Sequence, residues 1–153
     1  MIFTKEEKKI LAEGFEHLYS GYFPGQFEII AKNYDAESQD PKDKYAVAAA
    51  FFYRMESEIE NNQDAHYRCA YDFFHGQGVE QNKNLAIEIM NDLSDKDFID
   101  ATIFLAKTYL YETEFINRNL AEYYLKKAHA QILEQDSRKT SILDGLFLDL
   151  DGI

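Results

Sequence analysis

The chain has 153 residues, 46% of them apolar and 15% aromatic, and its 28 acidic side chains against 16 basic ones give a formal charge of −12. So apolar a chain can bury a core and is not disordered, while so acidic a surface repels phosphate backbones and anionic lipid. Two prolines and seven glycines are too few for the turns of an all-β fold, and the single cysteine, Cys69, allows no internal disulfide.

The N-terminal MIFTKEEKKILAEGF lacks the apolar run of a signal peptide, and no segment reaches the roughly 18 apolar residues that span a bilayer. The expected setting is the cytoplasm. Thr4-Lys5-Glu6-Glu7 forms a capping box, with Ile10, Leu11, Phe15, Leu18 and Tyr19 recurring behind it at helical spacing. Gly21-Tyr22-Phe23-Pro24-Gly25 interrupts that helix. A second helix, about Gln26 to Glu37, carries Phe27, Ile30, Ala31 and Tyr34 on one face. Asp40-Pro41 is a helix start, and the third helix runs to about Asn61 with Tyr45, Ala48, Ala49, Phe52 and Ile59 inward.

Asn61-Asn62-Gln63-Asp64 is a polar joint, with Asp64 expected to cap the next helix. From Ala65 to Asp92 the chain reads as one helical hairpin: a helix with small and apolar residues on one face, the turn Gly76-Gln77-Gly78, then a second amphipathic helix. Asn82 or Asn84 caps that second helix, which buries Leu85, Ala86, Ile89, Met90 and Leu93. The pattern then returns. Ala65, Cys69, Ala70 and Phe73 match Ala101, Leu105, Ala106 and Tyr109 at a spacing of 36, and Asn84-Leu85-Ala86 matches Asn119-Leu120-Ala121 at 35. Periods of this size mark stacked helix pairs. Helix six holds Phe98, Ala101, Leu105 and Tyr109; helix seven, capped near Asn117, holds Leu120, Ala121, Tyr124, Leu125 and Ala128. Within 136–150, Ile142, Leu143, Leu146, Phe147 and Leu150 form a C-terminal capping helix, or else a tail that docks on another subunit.

Ala65, Cys69-Ala70, Phe73, Gly76-Gln77-Gly78-Val79 and Leu85-Ala86 together resemble a Sel1-like repeat, a relative of the tetratricopeptide repeats. Cys69 stands where leucine is usual and Ala70 where glycine is usual, and Glu112-Thr113-Glu114-Phe115 replaces the glycine turn in the next copy. The resemblance implies an all-α, short right-handed α-solenoid of about four antiparallel helix pairs. It would form a single domain over 1–153, with clear repeats at 65–100 and 101–131 and degenerate helices at 4–61. It also implies a protein-binding scaffold in which the first helix of each pair lines a concave surface. Matched to that pattern, the binding residues are Asp64, Tyr67, Tyr71, Phe74 and His75 in one copy, and Asp100, Ile103, Lys107, Leu110 and Tyr111 in the next.

The residues give little sign of catalysis. His66 and Cys69 lie three apart and could share a helix face, but a structural zinc site needs four N or S ligands. Cys69 falls on a core position, where burial suppresses the thiolate. The Gly76–Gly78 turn lacks the preceding strand and third glycine of a phosphate loop, and Asp149-Leu150-Asp151-Gly152 lacks the later ligands of a calcium loop. The expectation is a non-enzymatic module without cofactor or metal. Its partner would be another protein with a basic surface, and not nucleic acid or membrane. The most concrete form is an acidic inhibitor, such as a bacterial immunity protein bound to a basic toxin domain. The alternative is an adaptor or co-chaperone scaffold that holds a peptide in its groove.

Overall fold

The computed structural model describes Lys5, Lys9 and residues 25–135 and 139–153. The capping box at Thr4, the stripe from Ile10 to Tyr19, and the start of the 136–150 segment lie outside the described residues. Among the described residues there are seven helices and no strand: α1 (Gln26–Glu37), α2 (Lys44–Glu60), α3 (Gln63–His75), α4 (Lys83–Asp95), α5 (Ile99–Tyr111), α6 (Arg118–Gln135) and α7 (Thr140–Leu150). None is long and apolar enough to cross a membrane. The chain forms two units, Met1–Ala86 and Ile87–Ile153, with α4 crossing the boundary.

In the first unit, α1, α2 and α3 pack in succession. Phe52 is fully buried and its ring meets Phe27, Tyr34 and Phe51 at centroid distances of 6.2, 6.0 and 5.4 Å. Buried alanines at 31, 46, 49, 65 and 70 fill the rest of these helix faces. Asn62 donates to Glu28, and Arg68 donates to Asp35, at chain separations of 34 and 33 residues. Both contacts advance in the same direction, so α3 runs parallel to α1, while α2 is the return helix between them.

Two helix starts differ from the sequence expectation. α2 begins at Lys44 rather than at Asp40-Pro41, because the Asp43 carboxylate accepts the amides of Ala46, Gln39 and Asp40. Those backbone bonds hold its pKa at about 2 against an ordinary 3.8. α3 is capped by Asn62, whose side chain accepts the Ala65 amide. Asp64 lies within the first turn instead, and Asn61, in a left-handed conformation, closes α2 where the sequence placed its end. Asn82 and Asn117 cap as expected, accepting the amides of Leu85 and Leu120. Ile59, Leu120 and Ile142, assigned inward by periodicity, are exposed.

The glycine turn is anchored on α2. Gly76 and Gly78 have φ of +69° and +70°, and the Gly78 amide donates to the Pro41 carbonyl at 2.6 Å. A Cβ on Gly78 would lie 2.1 Å from the Ala46 carbonyl oxygen, which is backbone and cannot step aside.

In the second unit, α6 packs on α5, and α7 packs on both. Tyr109 and Tyr124 stack at 5.7 Å, and the buried hydroxyls of Ser94 and Thr102 share a hydrogen bond of 2.7 Å. Tyr124 donates to Asn91, and Lys127 to Asp95, at separations of 33 and 32 residues, so α6 runs parallel to α4. Lys139 pairs with Asp100, and Tyr111 donates to Asp149, so α7 runs parallel to α5. The C-terminal helix therefore covers its own chain through Leu143, Leu146 and Leu150.

Gly78→Ala is expected to destabilise the chain by roughly 2–4 kcal/mol, from the backbone clash together with the positive φ. Urea unfolding measures this; a loss below about 1 kcal/mol contradicts the seating of this turn on α2.

Candidate protein-interaction face and its charged support

On α3, Asp64, Tyr67, Tyr71 and His75 recur at intervals of three and four and share one side of the helix. Asp64 and His75 are exposed, Tyr67 is half-buried, and Tyr71 is 37% exposed. The rings of Tyr71 and His75 lie 4.3 Å apart, giving a continuous aromatic surface. Phe74 departs from the expected set. It is 3% exposed, because it follows Ala70 by one turn and extends the buried stripe.

The corresponding positions on α5 are mostly occupied by their own chain. Ile103 (7% exposed) and Leu110 are buried, because α5 has α6 on one side and α7 on another. Asp100 is paired with Lys139, and Tyr111, half exposed, is held by Asp149. That hydrogen bond is the main reason the Tyr111 hydroxyl is pushed up to about 12. Lys107 is exposed. On α3 Asp64, Tyr71 and His75 thus remain exposed, whereas on α5 Asp100 is engaged by Lys139 and Tyr111 by Asp149.

Beneath the α3 stripe sits a charged cluster that sequence reasoning missed. The Arg68 guanidinium lies 5.3 Å from the Tyr71 ring centroid and 5.2 Å from that of Tyr53. It donates through Nε to Asp72 at 3.0 Å and through a terminal nitrogen to Asp35 at 3.0 Å. Arg68 therefore props Tyr71 from below while tying α3 to α1. Asp72 is 2% exposed, and burial pushes its pKa up to about 7 although Arg68 works to lower it. Burial works to lower the pKa of Arg68, but Asp72 and Asp35 together hold it above its ordinary value. A visible signal was the Arg68/Asp72 pair at i and i+4 inside an apolar helix; what hid it was Asp35, on another helix.

A second polar knot lies at the start of α3. The Asn62 amide nitrogen reaches Glu28 at 3.1 Å and Glu56 at 3.3 Å, and Glu56 is buried with no partner for its Oε2 among the described residues. Cys69 is buried, and burial pushes its thiol up to about 12, which disfavours the thiolate at neutral pH. Among the described residues no group of three or more His, Cys, Asp or Glu side chains could hold a metal ion.

Because the folded Asp72 holds its proton more tightly than an unfolded aspartate (about 7 against 3.8), its ionisation costs stability as pH rises through that window. Carboxyl NMR should find its midpoint near 7, and the fall in stability between about pH 4 and 7 should become shallower in Asp72→Asn; a midpoint near 3.8 contradicts this. No protein-family model matches the chain, and no curated protein matches it.

Proposed function

We propose that the chain is a protein-binding module of the Sel1-like, tetratricopeptide-related type, a short right-handed α-solenoid that presents the outer side of α3 to a basic protein partner. The observation that carries this reading is the open row Asp64, Tyr67, Tyr71 and His75, propped by Arg68, on a molecule of charge −12. Tyrosine gives large contact area for little rotamer entropy, and aromatic residues dominate interface hot spots. Asp64, Glu58 and Glu80, all of the same unit as α3, are exposed and add to the negative field of that unit. Such a field steers a basic partner to its dock.

Support for stacked helix pairs comes from the parallel alternate helices, whose contacts join residues 32 to 39 positions apart. That offset brackets the sequence period of 36. In its concrete form the module is a cytoplasmic inhibitor: it covers the cationic surface of a toxin domain that acts on a polyanion, as an immunity protein does.

The test is capture at low salt followed by binding kinetics. Tyr67→Ala with Tyr71→Ala should leave the helical circular dichroism unchanged and weaken binding at least about 100-fold, as expected for two hot-spot residues. Wild-type association should slow about tenfold or more as salt rises from 20 to 500 mM, these being order-of-magnitude conditions for screening. Unchanged binding by the double variant removes α3 as the face. Weak capture of many peptides without salt dependence favours the peptide-groove scaffold instead.

A further inference from the structure

Within the second unit, α6 and α7 each lie against the two helices before them. α6 packs on α5 and bonds to α4 through Tyr124–Asn91 and Lys127–Asp95; α7 packs on both α5 and α6. The next position in that succession, between α6 and α7, is an open groove of about 710 Å³. A single water needs only ~10–15 Å³, so the groove has room for several side chains.

Phe147 and Leu150 of α7 give the groove an apolar floor. Leu148 stands at its edge and, at 75% exposed, is the most exposed large apolar residue described. Gly145, three residues before it, is exposed, and a Cβ there would meet nothing within 4 Å, so another chain can approach α7 closely at that point. The two banks differ in charge. Lys126 and His129 line the groove from α6, Asp144 and Asp151 from α7. Glu122 and Arg118 moderate this contrast without removing it. Lys126 is 69% exposed, and its contact with Glu122 is an i,i+4 surface pair, which contributes little and leaves two ammonium protons for other acceptors. Arg118 comes no nearer than 3.8 Å to Asp151, and Asp144 is exposed.

We propose that this groove is covered by a second copy of the chain, the two α6/α7 faces meeting about a two-fold axis. Such an axis, normal to the groove, carries the α6 bank of each copy over the α7 bank of the other, so lysine meets aspartate twice. It also sets Leu148 of each copy into the groove of the other, knob and hole being parts of one surface. A uniformly basic surface would instead bring like charge onto Lys126, so the mixed banks select a face of mixed sign. The inference does not rest on the α3 reading, since the two faces share no residue.

Each copy carries −12, and long-range repulsion opposes the contact, so the test is made at about 0.15 M salt, where the screening length is ~8 Å. Sedimentation equilibrium of the full chain over roughly 5–500 µM should show a monomer–dimer equilibrium, the mass rising from 17.9 kDa toward twice that value. Leu148→Glu, at an exposed position, should keep the helical circular dichroism and weaken dimerisation at least about 100-fold, because the change counts twice in a symmetric dimer. Lys126→Glu and the double variant Asp144→Lys, Asp151→Lys should each dimerise at least about tenfold more weakly alone and recover when mixed, since mixing restores opposite charges on both banks. A wild-type monomer up to about 500 µM overturns the proposal and leaves the groove to a helix of another protein. Dimerisation unaffected by Leu148→Glu, or charge variants that fail to recover on mixing, also overturns it.

Discussion

Close approach of helices through buried alanine is the constraint on which the rest depends. Ala31, Ala65 and Ala70 in the first unit, and Ala101, Ala106, Ala121 and Ala128 in the second, are all within 1% of complete burial. An alanine loses no side-chain entropy and keeps helix axes near, so polar side chains on the flanks of each helix can reach across. The hydrogen bonds that tie alternate helices together all depend on that spacing: Asn62 to Glu28, Arg68 to Asp35, Tyr124 to Asn91. Larger residues at the alanine positions would separate those donors from their acceptors.

Much of this fold was legible in the sequence, for a physical reason. Ala65, Cys69 and Ala70 on α3, and the residues they match on α5, Ala101, Leu105 and Ala106, are all buried, so the small and apolar positions picked out by spacing are core positions. Helix extents followed from it closely: α1 spans Gln26–Glu37 as its periodicity implied. Helix starts were less legible. Asp40, Asp43, Asn62 and Asp64 are all good caps by type, and the choice among them rests on which side chain the folded turn brings onto free backbone amides; Asn62 accepts one, from Ala65. Asp43 wins by accepting three, a count that exists only after the turn has formed.

The face was legible in half. Spacing gave the same five positions on α3 and on α5, and on α3 four of them form a row of which Tyr67, Tyr71 and His75 are the aromatic part. On α5 the same positions meet α7, which takes Asp100 through Lys139 and Tyr111 through Asp149. A repeat pattern specifies which way a residue points; it does not specify whether another helix stands there. Phe74 misled for a related reason, since an aromatic at the end of a helix can serve either a core or a surface, and its neighbour Ala70 decides for the core. The cluster under Tyr71 joins three helices through Asp35, Tyr53 and Arg68, and no local pattern encodes such a meeting. It gives α3 two roles at once: the residue that ties it to α1, Arg68, is the residue that lies against its exposed Tyr71.

The most direct measurement is amide hydrogen exchange on the full chain, free and in complex with the protein that it retains at low salt. Slowed exchange in the complex should centre on residues 63–75 and extend to the 76–79 turn, while α6 and α7 exchange as in the free chain. Slowed exchange across α6 and α7 with residues 63–75 unchanged would contradict the account.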